Sequence, residues 1–458
     1  MSRPLAEVVE RALSLSRADD CIVIGSQSST ANVRWANNTS TTNGLSIGTA
    51  LHVVSVLGGR VGSIGITSPT LENLESVVRR SEEACDGRPE AEDAMPLLPG
   101  DGAPAGWTEP TAAPGIGVFA TLAPALGDAF RRAAGDDILL FGYAEHATST
   151  TWLATSTGMR RRHTHHDGRL EINAKTPDFA RSCWVGLTSP TFADVDVDAL
   201  YDHLAERLGW TATTVDLPAD HYDVLLEPSA VADMLYYLYV SSSAREAEEG
   251  RTVFSRPDSG TRIGEQLYPA SVNIHSDPAE PGIQVMPFVL ASSSSSFASV
   301  FDNGLAVGRT QWVRDGVLEA LVSTRHWAAI SGGEPHPYVD NLVLDSPSGA
   351  DLAAMIAATT TPTLLVTCFW YIRDVDPQTL LLTGLTRDGV YLVEDGKVQG
   401  AVNNFRFNMS PVDMLARVVE MGATGPALPR EFGDYFRNAR VPPLRVQRFN
   451  MSSVSQAT

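Results

Sequence analysis

The segment Gly384–Ser410, GLTRDGVYLVEDGKVQGAVNNFRFNMS, constrains the fold more than any other stretch of the chain. Val390-Tyr391-Leu392-Val393 runs into Asp395-Gly396 and leaves through Lys397-Val398-Gln399. Asp-Gly between two strand-like runs supplies the positive φ that a tight hairpin turn demands. A polar strand, Asn403–Asn408, follows. An antiparallel sheet near the C-terminus is therefore the first element predicted.

A chain of 458 residues exceeds what one ordinary core needs, so two or three domains are predicted. With 43% hydrophobic and 19% charged residues the composition is globular. The formal net charge of −20 argues against nucleic acid as main partner, since phosphate binding needs clustered Lys and Arg. The N-terminal MSRPLAEVVERALSLS lacks the apolar core of a secretory signal, and no run reaches the ~18 apolar residues of a membrane span. A cytoplasmic protein with no membrane partner is predicted. Cys21, Cys85, Cys183 and Cys368 are isolated, which fits free buried thiols rather than a zinc ribbon or redox pair. Lys175 and Lys397 are the only lysines, an Arg-rich usage that fits a high-GC bacterial genome.

Leu5, Val8, Val9, Ala12 and Leu13 fall at helical spacing. Strands are predicted at Cys21–Gly25, from Val33, and at Leu45–Leu57 and Arg60–Thr67 around Gly58-Gly59. A helix capped by Ser68 follows, with Pro69 at its first position. The Pro-, Gly- and Ala-rich stretch 86–114 reads as a linker. Beyond it come a helix at Phe119–Ala134, strands at Ile138–His146, Thr150–Thr155, Met159–His166 and Arg169–Ala174, the last two joined at Asp167-Gly168, and a helix at Asp196–Leu208. After Pro218 the chain reads as mostly β, with helices near Pro228–Ser243, Ala350–Ala358 and Pro411–Val419. The predicted division is 1–90, a linker at 91–114, 115–215, and 216–458.

The Arg34–Asn37 strand, Thr157-Gly158, Gly250–Ser255 (GRTVFS) and above all Gly384–Ser410 occur in the order found in the PmbA/TldD family of peptidase-like proteins, which the chain resembles over most of its length. The resemblance implies an α+β fold: an N-terminal α/β region with antiparallel sheets flanked by helices, and a C-terminal, mostly antiparallel β domain. It also implies a two-subunit assembly. The TldD-type subunit carries HExxxH on a helix and a late Cys. Two imidazoles one turn apart hold zinc, the Glu polarises the bound water, and one coordination position stays open. The PmbA or TldE type lacks these ligands. This chain has no HExxxH, and no Cys after Cys368. Counted back from Thr252–Ser255, the motif positions fall on the helix Pro228–Ser243. Leu235 and Tyr239 stand at the ligand positions and Tyr236 at the base position, and the helix contains no His. The resemblance therefore implies no cofactor in this chain, zinc in a TldD-like partner, and a peptide or small amide as substrate.

Tyr236, Tyr237 and Tyr239 read either as core or as a wall of a cavity shared with the zinc subunit. Tyr236, Tyr239, Asn403, Asn404 and Arg406 are the candidate substrate-binding residues. The polar strand carrying the last three pairs either with an extended peptide or with neighbouring strands of its own sheet. His163 and His165, in RRRHTHHD, alternate on a strand and face one way. They read as a polar strand face, or as half of a metal site with no third ligand specified. The three arginines before them, Arg160–Arg162, offer an anion site as a further alternative. Serine-hydrolase and phosphate-loop motifs are absent. Two rival functions remain open: an independent peptidase-like enzyme of a natural-product pathway, and a non-catalytic module that captures peptides or stabilises a partner.

Overall fold

The computed structural model describes residues 4–111 and 115–455. Residues 112–114 of the expected linker lie outside the described residues. Helix α1 (Leu5–Leu15) buries Leu5, Val8, Val9 and Ala12, the face its spacing predicts. Strands β1 (Asp20–Ala36) and β2 (Thr39–Leu57) form a long hairpin. It turns on Asn37 and Asn38, both at positive φ, a conformation Asn tolerates better than most residues. Strand β3 (Arg60–Thr67) and helix α2 (Leu74–Glu83) follow. Ser68 does not cap α2: its φ is +50° and its N–H goes to the Thr49 carbonyl at 2.8 Å, so the helix starts after Asn73.

Helices α3 (Leu122–Gly135) and α4 (Val197–Trp210) flank strands β4 (Leu139–Thr155), β5 (Arg160–Lys175) and β6 (Ser182–Thr188). The six strands make one antiparallel sheet in the order β3-β2-β1-β4-β5-β6. Its β1–β4 pairing, Ile22↔Thr155 to Trp35↔Gly142, joins segments on either side of residues 86–114. The expected break at Asp167-Gly168 is not a turn. The β4–β5 register runs unbroken from Leu139↔Lys175 to Ala154↔Arg160. Gly168 is there because a Cβ would lie 2.1 Å from the Ser189 carbonyl oxygen, the close backbone approach that a strand glycine marks.

The described part of the expected linker is packed down. Leu97 and Trp107 are buried. The Trp152 indole donates to the Trp107 carbonyl at 3.0 Å, and Thr157 to that of Leu98 at 2.6 Å. Asp93 accepts from Ser299 at 2.6 Å, which ties the segment to the C-terminal half.

Residues 214–454 build a six-stranded and a ten-stranded sheet, mostly antiparallel. Helix α5 (Pro228–Val240) shares one apolar core with both; Met234 and Leu235 lie in the same cluster as Trp312, Leu342 and Phe407. The hairpin Val390–Glu394/Lys397–Val402 forms as its sequence dictates, with Asp395 and Gly396 at φ +49° and +74°. Phe405–Met409 lies between Leu381–Thr386 and Leu444–Val454, so of its two readings the one found is pairing inside its own sheet.

Arg430 locks the N-terminal sheet to this region. Its guanidinium lies 4.8 Å from the Trp184 ring and 4.3 Å from that of Trp370. It donates to Asp388 at 2.9 Å and to the Cys368 sulfur at 3.0 Å. All four cysteines are free and buried.

Candidate functional site

Helix α5 is built as a structural helix. Pro228 opens it, and Glu227 before it is ion-paired with Arg207 of α4. Asp233, wholly buried, accepts amide N–H groups of Arg430, Glu431 and Phe432 at 3.1–3.2 Å. Burial pushes its carboxyl up, against these amides, which favour the ionised form. This carboxyl holds the turn that brings Phe432 onto Tyr236, rings stacked 4.4 Å apart.

The positions that the resemblance assigns to the zinc motif do not fit a metal here. Leu235 is buried among apolar side chains. The Tyr239 hydroxyl donates to the Val339 carbonyl at 2.8 Å and accepts from the Val339 N–H at 2.9 Å. Cys368 is engaged by Arg430. Among the described residues, no three His, Cys, Asp or Glu side chains are grouped so as to hold a metal ion.

Tyr239 does something else with its position. By pinning Val339 and stacking on Tyr338 at 4.7 Å, it fixes the segment Tyr338–Asp340 against the N-terminal sheet. There Asp340 meets a cleft along β5. From His163 to Asp167, β5 has no strand neighbour among the described residues on the side away from β4, because β6 joins it only at Arg169↔Thr188. Two cavities of about 260 and 190 Å³ open along this edge and share His163 and His165 as walls. The first reaches Asp167, Ser189, Gln284 and Asn438; the second reaches Ser149, Thr151, Met286 and Asp340.

The electrostatics of the cleft are unusual. Burial and the neighbouring His165 and His166 rings push the His163 ring down to about 4. Its Nε2 is buried, with no hydrogen-bond partner among the described residues. Burial also lowers His165. Asp167 is ion-paired with Arg437 at 2.7 Å, and Arg437 also reaches Glu145 at 3.2 Å. Asp340 has no such cation among the described residues. It is open to solvent yet enclosed by protein on most sides, as a group on the floor of a cleft is. That enclosure and repulsion from Asp167 push its carboxyl up to about 7.

The sequence candidates divide accordingly. Tyr236 is half-buried and stacked on Phe432 and lines neither cavity of the cleft; burial raises its phenol, with smaller contributions from Tyr435 and Asp340. Tyr239 is in the core. Asn403 accepts from the Leu217 N–H at 2.7 Å, Asn404 uses its carbonyl on the Ser455 N–H at 2.7 Å, and Arg406 is exposed beside Thr383. None of these three lines either cavity of the cleft. The arginines before His163 are spoken for: Arg160 pairs with Glu10, Arg161 with Asp101, and Arg162 lies over Trp152. The alternation of His163 and His165 was a signal of this site. Asp340 and Arg437 carried none, because they reach it only through the fold.

The family described as the PmbA/TldA metallopeptidase C-terminal domain matches residues 219–453. Among solved structures, the chain is similar to TldE from Thermococcus kodakarensis, with a TM-score of 0.79 at 13% identity, covering 98% of this chain and 99% of that one. It is also similar to a candidate modulator of DNA gyrase from Thermotoga maritima, with a TM-score of 0.75 at 15% identity over 97% and 99% of the two chains. A counterpart from Bacteroides thetaiotaomicron gives 0.75 at 15% over 98% of each. No curated protein sequence matches.

Proposed function

Because the chain belongs to the PmbA/TldD metallopeptidase family, we propose that it is a zinc-less, TldE-like subunit of a heteromeric metallopeptidase. The observation that carries this reading is α5. Its motif positions are occupied by a core leucine, a tyrosine whose hydroxyl is committed to Val339, and a tyrosine stacked on Phe432. A TldD-like partner with HExxxH would supply the zinc and its activated water. This chain contributes a wall of the chamber in which an extended peptide or small amide is held, with the β5 cleft and Tyr236 as that wall.

The β1–β2 hairpin supports association with another chain. From Thr39 to Gly48, β2 has no strand neighbour among the described residues on the side away from β1. That edge carries no charge and no proline, and it exposes Leu45 and Ile47. Solitary proteins protect such edges; an unprotected one fits a partner.

The test is co-expression with an HExxxH-bearing family member. Zinc and amide hydrolysis are expected only in the co-purified complex, and Ile47→Lys should weaken its assembly. One equivalent of zinc together with hydrolysis in the purified chain alone would overturn the reading.

A further inference from the structure

We propose that the β5 cleft of this chain is a binding site for a protonated primary amine on an amide-bearing ligand, with Asp340 as its counter-ion. This rests on the reading of the cleft as a chamber wall and names the substrate class it takes.

The charge inventory carries the argument. The groups facing Asp340 are His163, His165 and Asp167 from β5, Tyr236 from α5, and Tyr338 from its own segment. Both histidines are held toward the neutral form by burial, and Arg437 is committed to Asp167 and Glu145. Asp340 is therefore the one carboxylate of the cleft without a cation among the described residues. A carboxylate so enclosed is stabilised by any cation that enters. A metal ion would need further ligands in reach, and no such group is present among the described residues. An ammonium needs only acceptors. Asp340 offers one, and the unpartnered Nε2 of His163 and the Ser149 and Thr151 hydroxyls offer others along the same wall. The cavities, about 260 and 190 Å³, hold a short chain rather than a folded protein.

The probe is 6-aminohexanamide, whose amine keeps a lysine-like pKa of about 10. Its N-acetylated counterpart, which has no charge, is the control. Titrated into the full chain alone by NMR at pH 8, the amine should bind about tenfold tighter or more than the acetylated probe. Because Asp340 ionises near 7, the preference should be full at pH 8 and fade as the pH falls toward 6. Asp340→Asn should abolish the preference, and Asp340→Glu should restore most of it. Equal binding of the two probes, no binding of either into the millimolar range, or a preference that survives Asp340→Asn would overturn the proposal. Zinc content and activity of the assembled complex are not read in this titration, so it and the subunit reading can fail separately.

Discussion

Replacing Tyr239 by Phe removes one oxygen from the core and leaves the ring. The stack on Tyr338 at 4.7 Å and the contact with Trp312 at 5.5 Å survive, so no cavity larger than a hydroxyl opens. What is lost is the pair of hydrogen bonds to Val339, at 2.8 and 2.9 Å, around a residue that is 1% exposed. A buried backbone donor or acceptor left without a partner costs about 1–3 kcal/mol. Two such groups, partly relieved by local adjustment, set the loss at about 2–4 kcal/mol. At about 2 °C per kcal/mol for a domain of 150–250 residues, the corresponding unfolding transition should fall by at least about 4 °C. Hydrogen exchange read on a peptide spanning residues 336–342 is the sharper assay. A local opening easier by about 2 kcal/mol speeds exchange of the Val339 amide by more than tenfold. The same loosening should weaken amine binding at Asp340. Unchanged exchange at Val339, with a transition shifted by less than about 1 °C, would refute the assignment of Tyr239 as the pin of this segment.

The hairpin turn and the histidines of β5 give two further tests. At φ +74°, Gly396→Ala meets both left-handed strain of about 1–2 kcal/mol and a Cβ only 2.6 Å from the Ala357 carbonyl oxygen, so urea unfolding should show a loss above that strain alone. A ring held near 4 in the folded chain and near 6.5 unfolded makes the unfolded state bind more protons, so the contribution of His163 to stability is whole above about 6.5 and lost as the pH falls toward 4. Thermal unfolding followed across that window should weaken with acid, and His163→Gln should flatten the slope; an unchanged slope counts against burial as the cause.

How much of this was legible depends on how local each signal is. Asp395-Gly396 specifies its own turn, since φ is set within the dipeptide, and α4 begins where Asp196 caps it. Asp167-Gly168 looked equally local and misled. Its glycine answers to the Ser189 carbonyl and its aspartate to Arg437, 270 residues away along the chain. The stretch read as a linker packs for a related reason. Its composition is that of a loop, yet Leu97 and Trp107 find buried places that only the finished sheet provides. Composition reports how a segment behaves alone, and long-range burial decides otherwise.

The site shows the same division. A missing HExxxH is visible in the sequence, but what fills its place is not. Tyr239 at a ligand position could have been left facing a chamber as easily as tied to Val339, and Tyr236, three residues earlier and turned toward Phe432, shows that one helix holds both outcomes. Through Tyr239, helix α5 becomes the support for Asp340. The packing of α5 and the presentation of Asp340 to the β5 cleft are then one structural fact, because the hydroxyl committed to Val339 is the one that sets the residue after it.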